Sequence, residues 1–174
     1  SDLIQREVIL TKKAKTVIIS MGHLAASGGY WISTYGDHIF AEPNTITGSI
    51  GVFGLLPNVK KLANEHGITW DEVSTSKMAN PMTLARPKSE FELARIQGIV
   101  DHIYDQFLSK VSESRHLTKE GVNEIAQGRV WSGQEALKLK LVDELGGLED
   151  AIRYAAKKAN IENDYRVEGP GAGK

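Results

Sequence analysis

From Thr16 to Gly36 the chain runs for 21 residues without a formal charge, and no other segment limits the possible fold as strongly. A membrane-spanning helix needs about 20 mostly apolar residues. This segment has Gly22, Gly28, Gly29 and Gly36, with Ser20, His23, Ser27, Ser33 and Thr34 between them, so it reads as the buried interior of a soluble fold. Its first part, Thr16-Val17-Ile18-Ile19-Ser20, is a β-branched run suited to a buried strand. Small residues then turn the chain, and Ser27 stands before Gly28-Gly29 and a candidate helix over Gly28–Tyr35.

The flanking sequence completes an α/β pattern, strands alternating with helices around a mostly parallel sheet. Helices are expected over Asp2–Thr11, Pro57–His66, Ser89–Ser114, Thr118–Ala126, Ser132–Leu139 and Leu148–Ala159. Ser89-x-x-Glu92 and Ser132-x-x-Glu135 have capping-box spacing. Short strands are expected at His38–Ala41, Ile50–Phe53 and Ile68–Val73, with a turn at Thr45–Gly48. There are 21 basic and 22 acidic residues, so the basic excess that a nucleic-acid backbone selects for is missing. Cys is absent, which excludes a disulfide framework, a thiolate nucleophile and a cysteine-ligated metal. Nothing in the sequence implies a metal or cofactor.

Chemistry concentrates at Ser20-Met21-Gly22-His23-Leu24-Ala25-Ala26-Ser27-Gly28-Gly29-Tyr30. A serine where a strand turns into a helix has unpaired backbone N–H groups beside it, and such groups can stabilise an oxyanion. The arrangement is like a nucleophile elbow, although no G-x-S-x-G surrounds Ser27. The same position suits a plain N-cap, and the local pattern leaves both roles open. A nucleophile needs a base. His23, His38, His66, His102 and His116 lack a flanking pattern that marks one. The other option is a Ser-Lys dyad, which requires a lysine whose amine is kept neutral by burial. Lys77, in Val73-Ser74-Thr75-Ser76-Lys77-Met78-Ala79-Asn80, has small uncharged flanks; it fits that role or that of an ordinary loop lysine.

The segment Ser20–Thr34 resembles the nucleophile motif of the signal peptide peptidase A (protease IV) family. Ala41–Gly54, Ile125–Gly133 and Leu141–Gly147 resemble three further signatures of that family, in the same order. The resemblance implies a ClpP/crotonase-like fold with repeated ββα units, in which residues 1–160 are the C-terminal part of a peptidase domain truncated at its N-terminus and 161–174 a flexible tail. It implies peptide-bond hydrolysis by a Ser-Lys dyad, with Ser27 as nucleophile and Gly28 as an oxyanion N–H donor. The motif wording is most similar to the C-terminal half of the long, two-repeat form, whose lysine lies on the N-terminal repeat. Lys77, fifty residues after Ser27 (77 − 27), instead occupies the lysine slot of the short form.

By the same resemblance, the substrates are cleaved signal peptides or other apolar, membrane-derived peptides. The protein is expected to be a membrane-associated, bacterial-type homo-oligomer (cell or thylakoid membrane), anchored through segments outside this chain. A catalytically silent half-protein serving as an assembly module is the alternative. A crotonase-like acyl-CoA enzyme would not need the serine. The family's other oxyanion donor comes from an upstream Pro-Gly-Gly-type loop that does not precede Ser1, and losing one such donor costs about 10²–10³ in rate. The 174-residue chain alone is therefore expected to hydrolyse a peptide at least about a hundredfold more slowly than the longer protein, in a side-by-side rate assay.

Overall fold

The computed structural model describes residues 1–76 and 78–169. In chain order the elements are α1 (Asp2–Lys12), β1 (Ile18–Met21), β2 (Leu24–Ala26), α2 (Gly28–Ser33), β3 (His38–Ala41), β4 (Ile46–Gly48), α3 (Lys60–Glu65), α4 (Glu90–Arg115), α5 (Lys119–Ile125), β5 (Val130–Ser132), α6 (Gly133–Lys138), β6 (Glu144–Leu145) and α7 (Leu148–Lys158). They cluster into two compact units, Ser1–Gly51 with Phe107–Lys174, and Val52–Gln106.

The first unit holds two three-stranded sheets, ordered β1-β3-β6 and β2-β4-β5. The first is parallel throughout; in the second, β2 and β4 are parallel and β5 is antiparallel to β4. Each consecutive strand pair splits between the sheets, β1 and β3 entering one and β2 and β4 the other. That is the ββ part of the expected ββα unit, and α2 completes the first copy.

Buried Thr45 fastens the two crossings together: its hydroxyl donates to Gly22 O at 2.9 Å and accepts from Glu42 N at 3.0 Å. Met21, Tyr30, Ile39, Phe40, Ala41, Ile50, Val111, Val122, Leu141 and Val142 make the core. The Ser132 capping box is formed as the spacing predicts, with Oγ accepting from Glu135 N.

Three expectations fail in an instructive way. Ile46–Gly48, read as a turn, is strand β4, because its backbone pairs with β2 on one side and β5 on the other. Ile50–Phe53 and Ile68–Val73, read as strands, have no regular structure. Ile68, Trp70 and Val73 are exposed, so the apolar run has no sheet to lie on.

In the second unit, Glu92 is buried and receives a bidentate Arg86 guanidinium at 2.8 Å on each oxygen. Ser89 N donates to it at 2.9 Å, and Glu92 N donates back to Ser89 Oγ at 3.2 Å, so the second capping box is also formed. The Arg86 bonds first, then the Ser89 N–H, pull the carboxyl down to about 2. A carboxyl depressed on folding stabilises above its unfolded pKa, and that contribution is lost as pH falls through the folded value. The first turn of α4 is therefore expected to lose amide-exchange protection between about pH 5 and pH 2, relative to the rest of the helix. Glu92→Gln should remove that pH dependence.

Candidate active site

Strand β2 ends at Ala26 and α2 begins at Gly28, so Ser27 is the whole connection between them. Its φ of 52° and ψ of −116° put a residue with a side chain where L-residues rarely go. Such a backbone costs about 1–3 kcal/mol and persists only when its surroundings over-determine it. Two hydrogen bonds hold it: Ser27 N donates to Gly48 O at 2.9 Å, and Trp31 N donates to Ser27 O at 2.8 Å.

That backbone bears on the capping role open to Ser27. Thr118 and Ser132 are N-caps in the same chain, with φ of −69° and ψ of 150° and 160°, and each hydroxyl or side-chain oxygen accepts a backbone N–H. This is the extended backbone capping requires. Ser27 occupies the cap position of α2, yet its side chain makes no capping bond. The residue is exposed and its hydroxyl is not spent on the helix. The first-turn N–H groups of Gly28 and Gly29 lie beside it without intrahelical acceptors. A Cβ on Gly28 would sit 2.7 Å from Ser1 Oγ, a contact that the exposed Ser1 side chain would have to move to relieve.

Beneath the elbow, Thr47 is fully buried and its hydroxyl donates to Ala25 O at 2.8 Å. Gly48 has φ +73°, and a Cβ there would meet Trp131 Cδ1 at 2.7 Å. The Trp131 indole is held by Nε1 donating to Ile125 O at 3.0 Å. Ser49 follows with φ 49°, a second serine in a disfavoured backbone, fixed by its N–H to Arg129 O at 2.7 Å. Above the elbow, α2 is buried through Tyr30, Trp31 and Ser33. Trp31 packs on Phe107 at 4.8 Å between ring centroids. Buried Gln5 donates to Trp31 O at 2.7 Å and to the Thr34 hydroxyl at 2.8 Å.

Thr47, Ser49, Trp131 and Gln5 were absent from the sequence-based site. The two-residue spacing of Thr45 and Thr47 is the available signal, since it places both on one face of the chain beside β2.

Three of the histidines stand on other elements, while His23 is exposed on the β1–β2 connection. His38 stacks on Tyr154 at 4.1 Å and pairs with Glu144 at 3.2 Å, His102 contacts Gln106 at 3.1 Å, and His66 ends α3. Lys110 faces α2 but is bound to Gln5 Oε1 at 2.7 Å and to Asp2 at 3.4 Å. Lys77 lies outside the described residues. Among the described residues no cluster of His, Asp or Glu could hold a metal ion, and no helix is long and apolar enough to cross a membrane.

A serine freed from capping duty at a strand–helix elbow has the local geometry that a nucleophile requires. Residues 9–162 match the model of Peptidase family S49, and the chain belongs to that family. It is 42% identical to Protease 4 of Haemophilus influenzae over 172 residues, 97% of this chain and 27% of that protein. It is 38% identical to Protease 4 of Salmonella typhi over 98% of this chain and 28% of that protein. Serine protease SPPA, chloroplastic, of Arabidopsis thaliana is also 38% identical, over 96% of this chain and 25% of that protein. The chain thus spans about a quarter of the length of these relatives. A crystal structure of an enoyl-CoA hydratase/isomerase family protein from Hyphomonas neptunium superposes with a TM-score of 0.48 and 15% identity, over 98% of this chain and 53% of that one, a likeness that carries no weight for the fold.

Gly48→Ala should destabilise the protein by about 1–3 kcal/mol in a urea melt, because both the positive φ and the Trp131 ring oppose a methyl group. Gly54→Ala, with open space around its α-carbon, is the near-neutral control.

Proposed function

We propose that this chain is the serine-bearing part of a ClpP/crotonase-type peptidase that cleaves apolar, membrane-derived peptides, signal peptides among them, through an acyl-enzyme on Ser27. The observation that carries the reading is the Ser27 hydroxyl, exposed at a cap position and making no cap. Ser27 Oγ attacks the scissile carbonyl carbon while a neutral amine accepts the hydroxyl proton. The negative oxygen of the tetrahedral intermediate accepts from Gly28 N–H, at the start of α2. The protonated amine then gives its proton to the leaving nitrogen, and water hydrolyses the ester in a second attack.

A lysine supplies the amine in this reading. The two candidates are Lys77 and a lysine of the longer protein outside this sequence, as in the two-repeat form. The split of each strand pair between two sheets supports the ClpP/crotonase-type architecture. A membrane-associated homo-oligomer accords with it, Ile99 and Ile103 of α4 being exposed apolar residues open to a neighbour.

In the full-length protein, Ser27→Ala should abolish turnover and labelling by a serine-directed phosphonate while leaving the melting temperature within a few degrees; retained turnover ends the reading. Lys77→Met separates the two candidate bases. If Lys77 is the base, turnover falls to the Ser27→Ala level, and wild-type activity rises with pH through an amine pKa below the free value of about 10.4. A Lys77→Met rate near the wild type assigns the base to the other lysine.

A further inference from the structure

Tyr30 is the third residue after Ser27 and is completely buried. Its hydroxyl donates to Leu141 O at 2.8 Å, a contact that joins the first turn of α2 to a segment 111 residues away. Burial raises the phenol above its ordinary pKa, so it stays a neutral donor.

The acceptor is built to stay still. Leu141 N donates to Ala136 O at 2.8 Å, and Arg115 Nε donates to the preceding carbonyl, Lys140 O, at 2.8 Å. The Arg115 guanidinium also grips Asp143 at 2.5 and 3.1 Å. Asp143 accepts Ile39 N at 2.8 Å and returns its own N–H to Ile39 O at 2.9 Å. Residues 140–143 are thereby fixed to α4, α6 and β3 at once.

Helix α2, by contrast, has only six residues and cannot hold itself together. Its cap-position residue is in a strained backbone, so outside contacts must set its orientation. Gln5 secures the C-terminal end through Trp31 O and Thr34. At the N-terminal end the Tyr30 hydroxyl is the side-chain bond that reaches a fixed acceptor. A core filler would need the ring alone; the hydroxyl adds a directional anchor one turn from the reacting group.

We propose that Tyr30 is a positioning residue: its bond to Leu141 O holds the first turn of α2, and with it the Ser27 hydroxyl and Gly28 N–H, in the geometry for attack. This rests on the peptidase reading of Ser27. The test compares wild type, Tyr30→Phe and Arg115→Lys in the full-length protein. The readouts are kcat and KM on a peptide substrate, the rate of Ser27 labelling by a fluorophosphonate, and the melting temperature.

For Tyr30→Phe, kcat and the labelling rate should each fall at least tenfold, with KM within twofold of wild type. Arg115→Lys, which loosens the acceptor from its far side and leaves Tyr30 in place, should lower the labelling rate at least threefold with KM unchanged. Wild-type labelling rates in folded Tyr30→Phe, or a loss shared equally by KM, overturn the proposal. Should Tyr30→Phe fail to fold, Arg115→Lys decides: unchanged labelling overturns the proposal and slowed labelling at constant KM sustains it. A wild-type protein that is not labelled at Ser27 overturns the peptidase reading and the positioning role together. A labelled wild type with an equally labelled Tyr30→Phe overturns the positioning role alone.

Discussion

Everything at the elbow depends on one backbone hydrogen bond, Ser27 N to Gly48 O. It extends the β2–β4 ladder one residue past the last strand pair, Ala26 with Gly48, and so carries the sheet's regularity into a residue whose own preference is elsewhere. The acceptor must lie close under the elbow, and that explains its glycine: Trp131 fills the space a side chain would take. β5, α2 and the Thr47 hydroxyl all brace the same short stretch of backbone. Bond by bond these contacts are modest, about 0.5–1.5 kcal/mol each. Their value lies in acting on one strained residue at once.

The elbow was legible because its chemistry is local. A buried strand, small residues, Ser27 and two glycines are consecutive, and the helix that follows is where the pattern places it. Its supports were not legible, because they are strands of two to four residues whose identity comes from pairing. Ala25 and Ala26 have little strand preference, yet they are β2 because β4 lies beside them. Ile68–Val73 has every local mark of a strand and is none, for want of a partner. The capping boxes at Ser89 and Ser132 could be read directly, since both partners lie within one helical turn. Gln5 could not: a glutamine inside an amphipathic helix looks like surface until α2 presents Trp31 O to it.

Apart from Trp31 Nε1, which is buried without a hydrogen-bond partner among the described residues, the polar groups around α2 follow a common logic. Gln5 is buried, and its amide is used at both ends, donating to Trp31 O and Thr34 and accepting from Lys110. Lys110 in turn lies over the Trp31 ring, 5.2 Å from its centroid. A buried polar network is tolerated when its members are satisfied and destabilising when they are not. Such a network also gives α2 a single orientation, which apolar packing alone would define less sharply.

The contrast between Ser27 and the two working caps has a consequence for what folding alone would select at this position. A serine at this position contributes no capping energy and carries backbone strain, so folding gains nothing by keeping it. Glycine would accept the same φ without penalty. A copy that lost the hydroxyl through Ser27→Gly would keep the fold and gain stability. On the proposed role of Ser27, stability and chemistry therefore pull this one position in opposite directions.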